Sequence, residues 1–217
     1  MDYAEARKHM VNSQVRTSDV TDLRIQVALE TIPREKFLPA ELKAQAYVER
    51  EIPYAPGRQL LTARDFSKLI AAADIGPEDL VLDVACGSGY STAVLANLAE
   101  MVVAVEASEA LAAAAQESLS ELGVNNAAVV VADPAKAAAD QGPFDVIFIG
   151  GVIAREPEAL LPQLKEGGRL AAIRRTNGVS RGVIYSRAGD AFAARAVFDA
   201  SASAALPEFQ VPKTFTF

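Results

Sequence analysis

The sequence is poor in two side chains from which many enzymes build their chemistry. It contains one cysteine, Cys86, and one histidine, His9, in 217 residues. A single cysteine excludes a disulfide within the chain and a cysteine-based metal cluster. A single histidine, in a polar N-terminal stretch, argues against a histidine general base and a histidine-rich metal site. We therefore expect no metal centre.

Long apolar runs and an excess of positive charge are also missing. No run approaches the roughly 20 apolar residues that span a membrane, and the N-terminus lacks the basic and then apolar pattern of a signal peptide. The net charge of −7 argues against nonspecific nucleic-acid binding. Because 51% of the residues are hydrophobic, a sizeable core is available. We expect a soluble, cytoplasmic α/β protein without membrane or nucleic-acid partners. The sequence gives no signal for its oligomeric state.

One stretch organises the rest of the chain. Residues 80–84 form an apolar strand, and a tight turn with Gly87 and Gly89 leads into a helix. Glycines let the backbone approach a ligand closely, and a helix start offers unpaired N–H groups. A second apolar strand, 101–105, ends at Glu106. Such folds place an acidic residue there to accept hydrogen bonds from ribose.

The glycine spacing distinguishes two cofactor classes. A dinucleotide fingerprint requires G-x-G-x-x-G, but position 92 is Thr92. The pattern from Asp83 to Gly89, acid-x-(Gly/Ala)-x-Gly-x-Gly, resembles the S-adenosylmethionine (SAM) motif of class I methyltransferases. SAM has no pyrophosphate, so the turn amides are expected to face its methionine carboxylate. The residues expected to contact SAM, or the product S-adenosyl-L-homocysteine, are Asp83, Ala85, Gly87, Ser88, Gly89, Glu106, Ala107, Asp133 and Pro134.

The acidic residues carry separate expectations. Asp83 either orients the methionine part of SAM or caps the turn amides. Glu106 is expected to bind the ribose of a nucleoside that lies across the carboxyl ends of the first two strands. This opening, here called the mouth, is expected to be free of side chains. The alternative for Glu106 is a solvated strand end. Asp133 lies where such folds bind the adenine amino group, the alternative being a turn residue before Pro134. Asp145 is expected to be a structural residue at the entry of a strand.

From position 80 onward, apolar strands alternate with helices. The predicted strands are 80–84, 102–106, 128–131, 146–149 and 169–173, and the predicted helices are 91–98, 109–122, 134–139 and 156–164. This alternation predicts a parallel sheet covered on both faces. Residues 183–187 and 192–198 predict a hairpin. The predicted fold is α/β, with a doubly wound, mostly parallel seven-stranded sheet of the Rossmann-like SAM-methyltransferase type and an antiparallel C-terminal hairpin.

We predict a single domain over residues 1–217. An N-terminal helical extension and substrate loop occupy residues 1–60, the cofactor-binding core 61–175, and the hairpin and tail 176–217. The extension shows helical patterns at 4–15 and after Thr21 or Asp22, two short turns beyond Pro33, and a loop at 51–61. The aromatic tail residues are expected to pack in the core or on an edge strand: Phe209, Phe215 and Phe217.

The N-terminal region carries a resemblance to a known family. Residues 10–57 resemble the N-terminal region of protein-L-isoaspartate O-methyltransferases, with Pro33-Arg-Glu-Lys-Phe-Leu-Pro39 as a specific marker. The turn at 81–90, the strand at 143–147 and the segment 164–170 match as well. The resemblance covers roughly residues 10–175. It implies methyl transfer from SAM to the carboxylate of an isoaspartyl residue in a damaged peptide or protein.

The loop before the helix departs from the family. Where the family usually reads Gly-His-Gly-Gln-Thr-Ile-Ser-Gln-Pro, this chain reads APGRQLLTAR over residues 55–64. The histidine is missing, Arg58 is an insertion or marks a shifted register, and the family's serine falls on Thr62 if Gln59 is aligned. The Thr62 hydroxyl is expected either to donate to the acceptor carboxylate or to cap the helix together with Asp65. Arg58 and Arg64 are expected to be solvated loop charges, the alternative being an acidic substrate.

Carboxyl methylation agrees with a chain that lacks a histidine base. A carboxylate acceptor is already ionised at pH 7, so alignment and exclusion of water are what the protein must supply. Cys86 is expected to be a small buried residue. Three functions remain open: an isoaspartyl methyltransferase, a SAM-dependent methyltransferase with another acceptor, favoured by the altered loop, and a non-catalytic SAM-binding or interaction protein. A nucleotide dehydrogenase is a distant fourth. We favour the first.

Overall fold

A seven-stranded sheet forms the centre of the computed structural model, which describes residues 2–211. Two short strands, β1 (Ile52–Ala55) and β2 (Arg58–Leu60), form a separate hairpin. The sheet contains, in chain order, β3 (Leu80–Val84), β4 (Met101–Glu106), β5 (Ala127–Val131), β6 (Phe144–Ile153), β7 (Leu164–Thr176), β8 (Val179–Ala188) and β9 (Ala191–Asp199). The α-helices are α1 (Tyr3–Met10), α2 (Leu23–Thr31), α3 (Ala63–Ala73), α4 (Tyr90–Ala96) and α5 (Glu109–Glu121).

The strand order is β5-β4-β3-β6-β7-β8-β9. Strands β3 to β7 pair in parallel, whereas β7–β8 and β8–β9 are antiparallel. In the β3–β4 register, Val84 lies opposite Val105. The carboxyl ends of these two strands therefore meet at one edge, where the glycine turn follows β3 and Glu106 ends β4. The predicted fold class and its antiparallel C-terminal hairpin are confirmed.

The N-terminal region is mostly helical, as predicted. A π-helical segment, Val11–Val15, continues α1, and Asp22 caps α2. Two 3-10 segments, Arg34–Phe37 and Ala40–Gln45, follow. The prediction of a loop at 51–61 is wrong, because this segment forms the β1–β2 hairpin. A proline at position 53 is compatible with a two-stranded ribbon, in which every strand is an edge strand.

The two faces of the sheet are covered differently. Buried side chains from all five α-helices belong to one apolar cluster, which includes Leu29, Phe66 and Leu95. The predicted helices at 134–139 and 156–164 are absent. Turns, and one 3-10 segment at Leu161–Gln163, cover the second face instead. Ala137 has φ +50°, which ends any helix there. Pro157 and Pro162 interrupt the other segment, because proline lacks an N–H donor.

Residues 205–209, here called the covering segment, complete the second face. Leu206 and Phe209 are buried in its apolar cluster. The Leu206 amide donates to Val152 O at 2.9 Å, and the Ala154 amide donates to Phe209 O at 2.9 Å. The core packing predicted for Phe209 agrees with this, whereas Val211 is exposed. Phe215 and Phe217 lie outside the described residues. Among residues 2–211, the model contains no helix with the length and hydropathy of a membrane span.

Candidate functional site

The turn between β3 and α4 has a left-handed backbone at three positions. The φ angles are +58° at Ala85, +59° at Gly87 and +92° at Gly89. A side chain at position 89 would crowd α5, since a Cβ there would lie 3.0 Å from the Ala115 Cβ. This region costs a residue with a Cβ about 1–2 kcal/mol, so Ala85 lies where glycine is preferred. The turn is nevertheless formed as the glycine spacing predicts.

Asp83 lies at the carboxyl end of β3, fully buried. Its Oδ2 accepts hydrogen bonds from the Ser91 and Thr92 hydroxyls, each at 2.7 Å. Its Oδ1 has no hydrogen-bond partner among the described residues. Burial raises the pKa of Asp83 to about 7, although the two hydroxyls oppose the shift. In this structure Asp83 is joined to the first turn of α4 and not to the turn amides.

Glu106 ends β4 and is 1% exposed. Its two oxygens accept four hydrogen bonds. The Gly87 amide (2.9 Å) and Arg58 Nε (2.8 Å) donate to Oε2, while the Ser108 amide (3.0 Å) and Arg58 Nη2 (2.9 Å) donate to Oε1. Burial opposes ionisation, but these donors lower the pKa of Glu106. A carboxylate offers about four lone-pair positions, so all of them are used.

Arg58 is 5% exposed, and the prediction of a solvated loop charge is wrong. Besides its two bonds to Glu106, it donates from Nη2 to Glu208 Oε1 at 2.7 Å. Its Nη1 donates to Glu208 Oε2 at 3.2 Å and to Gly57 O at 3.0 Å. All five guanidinium N–H groups therefore have an acceptor. Burial acts against the charged form, but the two carboxylates raise the pKa of Arg58 above its usual value.

Tyr54, from β1, fills the space beside the glycine turn. The Ser88 amide donates to Tyr54 Oη at 3.2 Å, and the Ser88 hydroxyl donates to Phe37 O at 2.7 Å. A Cβ added at Gly87 would lie 1.8 Å from Tyr54 Oη. Burial raises the pKa of Tyr54, which keeps its hydroxyl protonated. The expectation of an open mouth is therefore wrong: Tyr54 and Arg58 fill it from the β1–β2 hairpin.

Two cavities flank Arg58. The outer one has a volume of about 540 Å³ and is lined by Ala55, Pro56, Arg58, Glu106, Ala107, Ser108, Ala110, Leu111, Pro207 and Glu208. The inner one holds about 30 Å³ and lies between β2 and the glycine turn, with Cys86 and Tyr90 in its wall. Arg58 lines both, so its side chain separates a roomy outer cavity from a nearly filled inner one.

The other residues predicted for the cofactor are more peripheral. Asp133 is exposed, its Oδ1 caps the Ala135 amide at 3.0 Å, and its Oδ2 lies 3.4 Å from Lys136 Nζ. Pro134 is buried and Ala107 is exposed. Neither Asp133 nor Pro134 lines the outer cavity, whereas Ala107 does. Their contacts with a cofactor remain predictions.

Thr62 is the N-cap of α3. Its Oγ1 accepts from the Asp65 amide at 3.1 Å, and its side chain is buried. Asp65 Oδ2 in turn accepts from the Ser201 and Ala202 amides at 2.7 and 3.2 Å. The capping role of Thr62 is therefore visible, and its role toward a substrate stays a prediction. Arg64 pairs with Asp65 at 2.5 Å.

Several remaining residues have structural roles. Cys86 is buried, and burial raises the pKa of its thiol. Asp145 Oδ2 accepts from the Leu80 amide at 2.8 Å and from Lys165 Nζ at 2.7 Å. The imidazole of His9 is mostly exposed. The burial of Cys86 and the contacts of Asp145 agree with what the sequence led us to expect of these two residues.

Sequence reasoning missed Tyr54 and Glu208 and misjudged Arg58. The chain separates Arg58 from Glu106 by 48 positions and from Glu208 by 150. No local pattern reveals such a pairing. One signal was available: Glu208 is a lone acid between the apolar residues Leu206 and Phe209. A charge embedded in an apolar segment is generally paired when that segment is buried.

The chain is similar in sequence to one family of known proteins. The chain matches the sequence profile of protein-L-isoaspartate(D-aspartate) O-methyltransferases over residues 5–191. A protein-L-isoaspartate O-methyltransferase of Koribacter versatilis is 38% identical over 168 residues, 77% of this chain and 76% of that protein. The one from Parvibaculum lavamentivorans is 32% identical over 193 residues, 88% of this chain and 87% of that protein.

Solved structures show the same fold. One protein-L-isoaspartate O-methyltransferase superposes with a TM-score of 0.80 at 21% identity, covering 94% of this chain and 67% of that one. A Plasmodium falciparum protein assigned to this group, crystallised with S-adenosyl-L-homocysteine, gives a TM-score of 0.76 at 18% identity, covering 93% and 98%. The predicted family is confirmed: the chain belongs to the protein-L-isoaspartate(D-aspartate) O-methyltransferase family.

Proposed function

We propose that this protein is a SAM-dependent carboxyl O-methyltransferase that acts on isoaspartyl residues of damaged peptides and proteins. The observation that carries the proposal is the position of Glu106. It ends β4 beside the glycine turn, and the Gly87 and Ser108 amides hold its two oxygens in place. A fixed acidic side chain at this point of a parallel sheet is the ribose acceptor of nucleoside-binding folds.

The residue types of the site fit SAM. Within residues 2–211, Asp83 Oδ1 is a buried oxygen that receives no hydrogen bond, which suits the ammonium group of a methionine. Ala107 lines the outer cavity next to Glu106. The conformation does not admit the cofactor as it stands, because Arg58 and Tyr54 occupy the space at Glu106 and Gly87. Binding therefore requires both side chains to move.

For methyl transfer, the chain has to align the acceptor carboxylate with the methyl group and its sulfur. SAM, when bound, supplies a methyl group on a positively charged sulfur. Glu106 would hold the sugar, the glycine turn would hold the methionine end, and the apolar wall of the inner cavity, which includes Phe66, would exclude water. An acceptor carboxylate is ionised at neutral pH and needs no base. The Thr62 hydroxyl is proposed to orient that carboxylate by donating a hydrogen bond.

Two measurements test the proposal. Calorimetry is expected to show binding of S-adenosyl-L-homocysteine and none of NAD. Methyl transfer from radiolabelled SAM is expected to an isoaspartyl peptide and not to the aspartyl peptide of the same sequence. Equal labelling of both peptides would point to another acceptor.

A non-catalytic interaction protein is the second candidate. It is favoured by the closure of the substrate side, where Pro207 lies against Gly57, so that a Cβ at position 57 would be 2.4 Å from the proline Cγ. Cofactor binding without transfer to either peptide supports this candidate over the first.

A further inference from the structure

Arg58 bonds to Glu106 in the way that a ribose would. We infer that Arg58, held by Glu208, is an internal occupant of the ribose site, and that cofactor binding is coupled to release of the covering segment. The inference rests on the proposed function, since it concerns the same site. It assigns a regulatory role to two residues, Arg58 of β2 and Glu208 of the covering segment.

The first argument is the match between the guanidinium and a vicinal diol. Arg58 gives one N–H to each oxygen of Glu106, from Nε at 2.8 Å and from Nη2 at 2.9 Å. Removal of Arg58 frees one acceptor position on each oxygen, because the Gly87 and Ser108 amides keep the others. Two free acceptors on one carboxylate are what the 2′ and 3′ hydroxyls of a ribose require. While Arg58 stays, Glu106 has no free position.

The second argument is that Glu208 holds Arg58 in place from the other side. Glu208 contacts Nη1 and Nη2, so the guanidinium lies between two carboxylates. Its own backbone is fixed, because Arg155 Nη2 donates to Glu208 O at 2.8 Å and the Arg155 guanidinium lies over the Phe209 ring. The covering segment thus presents a carboxylate at a fixed position. Arg58 cannot leave Glu106 without also breaking its bonds to Glu208.

The third argument concerns the charges left behind. Glu106 and Glu208 are 1% and 15% exposed in their side chains. Removing the cation between two such carboxylates leaves both uncompensated, which is costly for buried groups. A bound ribose satisfies Glu106 by hydrogen bonds but leaves Glu208 without its cation. Glu208 must then reach water, and the covering segment that carries it must loosen.

Calorimetric titration with S-adenosyl-L-homocysteine tests this coupling in the full chain. Arg58→Ala is expected to bind at least about tenfold more tightly than the unaltered protein, because the open state no longer has to be populated against the closed one. Glu208→Gln keeps the shape of the side chain and is expected to give a smaller gain of the same sign. Arg181→Ala is the matched control, since it removes an exposed arginine paired with Asp199. Its affinity is expected to be unchanged.

Hydrogen exchange supplies a second readout that does not depend on any substitution. Saturating S-adenosyl-L-homocysteine is expected to slow exchange of the Gly87 and Ser88 amides and to speed exchange of the Leu206 and Phe209 amides in the covering segment. A purely structural ion pair predicts slower exchange everywhere around the ligand. The test therefore remains decisive even if Arg58→Ala fails to fold.

The outcomes separate this inference from the proposed function. Equal affinity of the unaltered protein, Arg58→Ala and Glu208→Gln, with unchanged exchange in the covering segment, overturns the coupling and leaves the methyltransferase intact. Tighter binding by the variants without methylation of the isoaspartyl peptide supports the coupling and overturns the proposed function. No binding by any folded variant overturns both.

Discussion

The Thr92 hydroxyl donates to Asp83 Oδ2 at 2.7 Å, while the other oxygen of Asp83 is buried without a donor among the described residues. This half-satisfied carboxyl group makes the stability of the protein depend on pH. Burial raises the pKa of Asp83 to about 7, whereas an unfolded chain has the ordinary value near 4. Between these two values the folded protein retains a proton that the unfolded chain has lost.

Asp83 is therefore expected to lower the free energy of unfolding as the pH rises from about 4 to about 7. The loss attributable to this group is up to about 4 kcal/mol. Urea titrations at pH 5 and pH 8 measure the part of this loss that falls above pH 5, about 3 kcal/mol, and Asp83→Asn is expected to remove it. Asp145→Asn is the control with opposite sign. Burial opposes the lowered pKa of Asp145, but the Lys165 contact prevails, so its contribution is lost as the pH falls.

Glu106 and Glu208 share the guanidinium of Arg58, but replacing each by glutamine is expected to change the affinity for S-adenosyl-L-homocysteine in opposite directions. Glu106→Gln leaves a single acceptor oxygen at the sugar and is expected to weaken S-adenosyl-L-homocysteine binding by about 10- to 100-fold, also in the Arg58→Ala background. Glu208→Gln is expected to strengthen it. Titration calorimetry of both variants decides. Weakening by both substitutions would show that Glu208 belongs to the binding site rather than to its closure.

Substitutions at Thr62 distinguish its role as the helix cap from a role in catalysis. Thr62→Ala removes the acceptor of the Asp65 amide and is expected to cost about 1 kcal/mol of stability. If the hydroxyl also orients the acceptor carboxylate, kcat falls by about 10- to 100-fold with no change in cofactor affinity. Thr62→Ser is expected to restore both quantities. A full rate from a destabilised Thr62→Ala protein would reduce this residue to a helix cap.

A substitution at Gly87 tests how tightly Tyr54 packs against the glycine turn. Gly87→Ala places a Cβ 1.8 Å from Tyr54 Oη in a left-handed backbone, while Gly123→Ala has a similar φ of +67° and no atom within 4 Å. The control is expected to lose about 1 kcal/mol from backbone strain alone, and Gly87→Ala to lose more. Thermal or urea unfolding measures both. Adding Tyr54→Phe is expected to recover part of the excess, and equal losses at the two glycines would mean that Tyr54 moves away freely.

The parts of the fold that follow local patterns were predictable from the sequence. Residues 80–84 are apolar except for Asp83 and were predicted as a strand, and the observed strand has the same bounds. The Thr62 cap and the helix after it follow from a hydroxyl three residues before Asp65. The helices predicted at 134–139 and 156–164 failed for a local reason as well. Both segments are short and contain proline, so helix propensity alone cannot sustain them.

The closed mouth was not predictable in the same way. It depends on Arg58, Glu106 and Glu208, which the fold brings together from three distant parts of the chain. The pattern around each is ambiguous: an arginine in a loop rich in proline and glycine is usually solvated, and a strand-end acid is available to ligands. Only the packing of the hairpin against the covering segment decides between these states.

Leu206 and Phe209 fill the second face of the sheet, yet the ribosome makes them after every strand they cover. On a nascent chain, the paired strands therefore lack this part of their cover, and Arg58 lacks the carboxylate of Glu208. The site therefore closes only after residues 205–209 have been made. A chain arrested near position 199 exposes the apolar residues that Leu206 and Phe209 would cover, and its Arg58 pairs with Glu106 without the second carboxylate.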